Sequence, residues 1–433
     1  MQPAELEITG LTHDARGVAH VDGKAAFVGG ALPGERVKVA HLHRGKSFDH
    51  GQVEQVLRAS ADRVAVRCAH FGVCAGCSLQ HLAPHAQIAA KQEQLLSDLR
   101  KFAQCEPEQL LPPLVGLPWG YRRKARLSVK DVLKKGRVLV GFREIDGRYV
   151  ADIQRCHTLL PAVGERIAEL VELVSGLACR REIAQIEVAA GDDETALVFR
   201  HLKPLSAGDQ AALCAFGAQH QLQIWLQPGG TETVHACYPL GAKLSYQLPE
   251  FDVRIAFQPL DFVQVNREIN QQMVHQALSL LDLHPGESVL DLYCGLGNFT
   301  LPMARRGALV TGVEGDAGLV ARARANAEAN GLAAQVNYAV ADLSLEHKDA
   351  TWAQLGYDKL LLDPPRAGAA EVLTYLPRSS VRRIVYVSCS PATLARDTQV
   401  LVREHGFKLK AAGVMDMFTH TSHVESMALF ERS

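Results

Sequence analysis

The chain has 433 residues, enough for two or three domains that each bury a core of their own. With 47% hydrophobic and 21% charged residues it has ordinary globular composition, and a net charge of −1 argues against a uniformly basic nucleic-acid binder. The opening MQPAELEITG has neither the basic start nor the apolar core of a secretory signal, and no apolar run is long enough to span a bilayer. A cytoplasmic protein with no membrane partner is expected, its ten cysteines reduced or metal-bound rather than disulfide-linked.

In chain order, residues 1–58 hold short alternating runs punctuated by Gly and Pro, which predicts a small OB-like β-barrel. Residues 59–262 form a central α+β region that begins near CAHFGVCAGCSLQH. Cys68, Cys74 and Cys77 stand there in a C-x5-C-x2-C pattern, and Cys156 follows in QRCHTLL. Four thiolates suit either a tetrahedral zinc ion or a [4Fe–4S] cluster; two C-x-x-C pairs would favour zinc, and a compact triplet with a distant fourth is more like a cluster. Next, PHAQIAAKQEQLLSDLRKF carries apolar residues at helical spacing.

From Tyr121 to Arg155 the chain is locally basic, with eleven Lys or Arg against four Asp or Glu. Strand alternation there puts Ala125, Leu127 and Val129 on one face and Lys124, Arg126, Ser128 and Lys130 on the other. A sheet with one apolar and one cationic face is a platform for RNA, although a solvated basic face has the same composition.

Residues 263–433 alternate apolar runs (ESVLDLY, GALVTGVE, QVNYAVAD, DKLLLDPP, RIVYVSC) with helical segments, which predicts a doubly wound α/β domain with a mainly parallel sheet. In VLDLYCGLGNF the first strand ends at Asp291, and Gly295 and Gly297 open the following helix, so the backbone can approach a ligand closely. Glu314 ends the next strand, placed to accept from ribose hydroxyls, and Asp342 ends the third, placed to hold an exocyclic amine. The D-x-x-C-G-x-G-x-F run followed by an acidic strand end resembles the S-adenosylmethionine-dependent methyltransferases. The third glycine of the dinucleotide fingerprint is absent, which counts against NAD.

Two later strand ends speak to the acceptor atom. Asp363-Pro364-Pro365-Arg366 lacks the terminal aromatic that stacks on adenine in amino-methyltransferases, and it has no cysteine nearby. Cys389, in YVSCSPATLARD, is then the thiol placed for addition to a pyrimidine, with an inert core cysteine as the bland alternative. Glu425, in DMFTHTSHVESM, is a carboxylate near the final strand, flanked by His420 and His423.

Together DPPR, SCSPATLARD and DMFTHTSHVES resemble the RNA uracil-5-methyltransferase family, most closely its 23S ribosomal RNA enzymes of the RumA/RlmD group, across essentially the whole chain. The resemblance implies a TRAM barrel, a central cluster-bearing domain and a Rossmann-like methyltransferase domain. It implies Cys389 as nucleophile and Glu425 as base, with Gln264, Tyr293, Asn298, Glu314, Asp342 and Asp363 around S-adenosylmethionine. It also implies a [4Fe–4S] cluster on Cys68, Cys74, Cys77 and Cys156, 23S ribosomal RNA as partner, and a monomer. Ser390 stands where the family usually has Asn, and Thr419 where it usually has Pro. Transfer RNA is the alternative substrate, and a non-catalytic RNA-binding protein the alternative of another class.

Overall fold

The computed structural model describes residues 4–40, 42–375 and 380–432. Seven short strands between Ala4 and Arg58 form one sheet around a small core that includes Leu6, Ile8, Val28, Val37 and Val39. Fully buried Glu35 accepts from the Arg63 guanidinium (Nη2–Oε2 2.8 Å), which pins this unit to the segment leading into the first cysteines.

The central region is built on a six-stranded sheet whose second strand is Lys124–Val132. Its alternation is as expected: Ala125, Leu127 and Val129 are buried, whereas Arg126 and Lys130 are exposed. Two of the cations are already engaged, Arg126 by Glu187 (2.5 Å) and Lys124 by the Pro259 carbonyl (2.5 Å).

The C-terminal sheet contains β1 (Ser288–Leu292), β2 (Leu309–Glu314), β3 (Val336–Val340), β4 (Lys359–Leu362), β5 (Arg383–Ser388), β6 (Lys408–Met415) and β7 (Glu425–Glu431). Their spatial order is β3-β2-β1-β4-β5-β7-β6, the first five parallel and β7 antiparallel to both neighbours. Strands β1, β4 and β5 are buried nearly throughout, as strands covered on both faces must be. In such a sheet ligands bind beyond the carboxyl ends of the strands, and Glu314, Asp342, Asp363, Cys389 and Glu425 lie at that end.

One segment packs differently from its placement by sequence. Helix α1 (Pro84–Asp98) puts Leu95 into the same core as Leu360, Tyr386 and Val414, and Gln109–Leu110 adds a parallel strand to the outer edge of β6. Residues 84–110 therefore join the C-terminal sheet rather than the central one. Its helical periodicity was visible in sequence, but its packing partner depends on long-range contacts.

Candidate active site

The cofactor side is built on the β1–β2 crossover. After β1 the chain turns at Tyr293, whose φ of +64° is unusual for a residue with a side chain and marks local strain. Gly295 and Gly297 follow at φ +54° and +94°, and a Cβ added to Gly295 would meet nothing within 4 Å. The turn is thus open at Gly295, where a ligand could approach, whereas at Gly297 a Cβ would stand 3.0 Å from the Tyr338 hydroxyl. Glu314 takes the Gly295 N–H (3.2 Å) and the Asp316 N–H (3.0 Å), which orients its carboxylate at the end of β2. Asp342 is exposed just past β3; the Ser344 hydroxyl (2.6 Å) and amide (3.0 Å) hold its carboxyl below the usual range.

Asn298 differs from its neighbours. Its carbonyl accepts from Tyr246 (3.0 Å) and Asn270 (3.1 Å), and its amide donates to Asn270 (2.9 Å). The side chain is occupied in fastening the glycine turn to helix α2 (Arg267–Leu281), which carries Asn270. Gln264 lies half-buried in the segment leading into α2. Cys294 is buried and its thiol pushed far up by burial, consistent with a thiol that does not react.

The reacting side lies where β5 and β7 meet. Ser388 pairs with Ser426, so one step outward Cys389 stands opposite Glu425, with Asp363 at the end of neighbouring β4. Burial pushes the Cys389 thiol up to about 11, with the charges of Glu425 and Asp363 adding and Arg366 opposing. Glu425 is raised to about 8 by burial and then by Asp363, against the pull of Lys91. Burial alone raises Asp363 to about 7. Burial raises all three, Asp363 adds to the shift of Glu425 and both carboxyls add to that of Cys389, the kind of environment that acid–base chemistry uses.

Sequence reasoning did not identify what holds Glu425. The loop before it, 416–423, is clamped from two directions. From α1, Lys91 Nζ reaches Asp416 (2.7 Å) and the Phe418 carbonyl (3.1 Å), and both charged side chains are almost fully buried. Gln87 brackets His420, accepting from its N–H (2.9 Å) and touching its Nδ1 (3.1 Å). From the cysteine segment, Ser78 and Leu79 N–H both donate to the His420 carbonyl (2.9 Å each), and Ser78 Oγ accepts from Ser422 N–H (2.9 Å). Trp119 lies against the His420 ring with centroids 3.9 Å apart, and Tyr121 donates to the Thr419 carbonyl (2.9 Å). The available signal was a buried stripe on α1, in which Gln87, Lys91 and Leu95 recur every four residues.

The flanking histidines separate. His420 is buried and lowered to about 4 by that burial, whereas His423 is exposed. Of the departures from the family pattern, Thr419 is buried with its hydroxyl on the Asp416 carbonyl (3.4 Å), and Ser390 caps helix α3 (Pro391–Arg403) without a side-chain cap bond.

Cys68, Cys74, Cys77 and Cys156 line one small cavity together with Phe71, Phe142 and His157. Burial lifts Cys74 to about 11 and Cys77 to about 12, with the neighbouring thiols adding to both. Among the described residues no three His, Cys, Asp or Glu are arranged to hold a single metal ion. Beside this cavity a groove of 620 Å³ runs between the basic sheet, through Arg122, Arg126, Arg143 and Gln185, and the clamped loop, through Phe418, Ser422 and His423. An apolar cavity of 690 Å³ against the outer side of α2 contains none of the predicted residues.

Comparison with known proteins matches residues 250–433 to the model of the tRNA (Uracil-5-)-methyltransferase family and residues 2–40 to the TRAM domain. The chain is 54% identical to a 23S rRNA (uracil(1939)-C(5))-methyltransferase RlmD of Xanthomonas campestris, over 99% of this chain and 97% of that one. It is 53% identical to the protein of the same name from Alkalilimnicola ehrlichii, over 100% and 97%. Among solved structures it is similar to the Pyrococcus abyssi tRNA (uracil-54, C5)-methyltransferase in complex with S-adenosyl-L-homocysteine. That match has a TM-score of 0.74 and 24% identity over 99% of this chain and 100% of the other, a likeness of fold.

Proposed function

The chain belongs to the RNA uracil-5-methyltransferase family, in its RumA/RlmD group, and on that premise we propose that it methylates carbon 5 of the 23S ribosomal RNA uridine for which its relatives are named. The observation that carries the mechanism is Cys389 facing Glu425 across β5 and β7, with Asp363 beside them.

Carbon 5 of uracil is too weak a nucleophile to take a methyl group unaided. Addition of the Cys389 thiolate to carbon 6 makes an enolate whose carbon 5 is nucleophilic. S-adenosylmethionine, when bound, supplies a methyl group on a sulfonium. Glu425 then removes the carbon-5 proton, and elimination frees Cys389. Glu314 and Asp342 suit the ribose and adenine, and the open glycine turn and strained Tyr293 suit the rest of the cofactor. Gln264 and Asp363 complete that surround, and Asn298 acts one step back by fixing the turn. The groove lined by Arg122, Arg126 and Arg143 suits the RNA backbone.

The four converging thiols are assigned to a [4Fe–4S] cluster. Left alone, Cys74 and Cys77 hold their protons far above neutral pH, so a bound metal centre is what would stabilise them as thiolates. The shared cavity supports such a group, and the compact triplet with a distant fourth cysteine favours it over zinc. It has no step in the methylation.

The experiment offers a transcribed fragment of 23S ribosomal RNA and a transfer RNA in equal amounts with tritiated S-adenosylmethionine. Label is expected as 5-methyluridine at the single ribosomal position. Preferential labelling of the transfer RNA would reverse the substrate, and no label in either would favour the non-catalytic RNA binder.

A further inference from the structure

Cys214 and Cys237 lie sulfur to sulfur at 3.2 Å. Three features of the central region bring them together. Cys214 sits in the helix Ala207–His220, whose buried side includes Leu213, Phe216 and Gly217. At Gly217 a Cβ would stand 2.7 Å from Ile224 and 3.0 Å from Tyr238, so the missing side chain is what lets the helix settle onto the sheet. In the edge strand His235–Tyr238 the register jumps: Tyr238 pairs with Ile224, but Ala236 pairs with the next residue, Trp225. Cys237 is therefore the extra residue of a β-bulge, a device that re-aims a side chain. Bulge and close-packed helix meet at the two sulfurs.

We propose that Cys214 and Cys237 are a modification site, forming an intramolecular disulfide on exposure to a two-electron oxidant of the peroxide class. One thiolate attacks a peroxide oxygen and becomes a sulfenic acid, releasing hydroxide that takes up the proton as water. The second thiol attacks the sulfenic sulfur, and its proton leaves with the displaced oxygen as a second water. Two thiols and one hydrogen peroxide thus give one disulfide and two waters. The sulfurs need to approach by only about 1 Å, since a disulfide bond is about 2 Å long. Both cysteines are partly exposed, so oxidant can reach them. Burial and the Cys214 sulfur push the Cys237 thiol up to about 11, so the link forms faster as pH rises. Condensation with an adjacent thiol also diverts the sulfenic acid from irreversible further oxidation.

The site is readable by mass, because trypsin leaves both cysteines in one peptide, residues 201–243, the Lys203–Pro204 bond being resistant. Purified full-length protein is titrated with hydrogen peroxide until its free-thiol content stops falling, then treated with N-ethylmaleimide and digested. The peptide is expected without maleimide and two hydrogens lighter than the dithiol, taking up two maleimides after dithiothreitol. Two maleimides without reduction, separate sulfinic acids, or a cross-link to another peptide would each overturn the proposal. In Cys214→Ser, Cys237 should lose its reversible protection; if dithiothreitol still restores a masked Cys237 there, the pairing is wrong.

Discussion

At the scale of single residues, the base is the informative group. Burial beside Asp363 raises Glu425 to about 8, so at neutral pH most free protein carries it protonated and unable to accept a proton. The value of kcat/KM should therefore rise as pH climbs through about 8, and a kcat/KM profile flat from pH 6.5 to 8.5 would remove Glu425 from the steps it reports. The same shift has a stability sign. The folded state keeps a proton that the unfolded carboxyl releases above its ordinary 4.5, so this group costs stability progressively between 4.5 and about 8. Glu425→Gln removes that cost while preserving shape. It should accumulate a covalent methylated RNA intermediate and, at pH 8.5, melt about 2–4 °C above the parent; rapid turnover by this variant would contradict its role. The placement of Cys389 and Glu425 at strand ends was legible because an apolar run gives way there to a polar motif. Lys91 was not, because a lysine on a helix is normally solvated, and only the fold reveals that this one is buried against Asp416.

At the scale of elements, the loop 416–423 is a bracket rather than a linker. It ends on Glu425, and α1 and the Ser78–Leu79 strip grip it from two sides. Lys91→Met leaves Asp416 buried without a partner, and urea unfolding should show a loss of about 3–5 kcal/mol. Adding Asp416→Asn should recover much of that loss, which would show that an orphaned charge, not lost packing, is responsible. Ser78→Ala removes one hydrogen bond, so it should lower stability by about 1 kcal/mol yet reduce kcat several-fold through the base's position. A kcat unchanged in Ser78→Ala would mean that the loop holds its shape without the strip. The five parallel strands of the C-terminal sheet were legible from their apolar runs. The clamp was not, since it joins residues more than 300 positions apart.

At the scale of the whole molecule, the cysteine segment serves both ends. Its thiols gather in one cavity while its next residues hold the catalytic loop, so loss of whatever fills that cavity should loosen Glu425. Anaerobically purified protein is expected to contain about four iron and four sulfide per chain; zinc without sulfide would replace the cluster assignment. Cys156→Ser should lower the iron content. The N-terminal barrel and the C-terminal α/β unit could be read from strand length and strand–helix alternation, and the family from three short motifs. What remained hidden was the interleaving, with residues 84–110 completing a sheet whose other strands begin near residue 288. The central claim is that the Cys389 thiolate attacks the uracil ring, and RNA carrying 5-fluorouridine tests it directly. Fluorine at carbon 5 cannot leave as a proton, so with S-adenosylmethionine the account predicts a denaturation-resistant protein–RNA adduct mapping to Cys389. An adduct formed equally well by Cys389→Ala would contradict it.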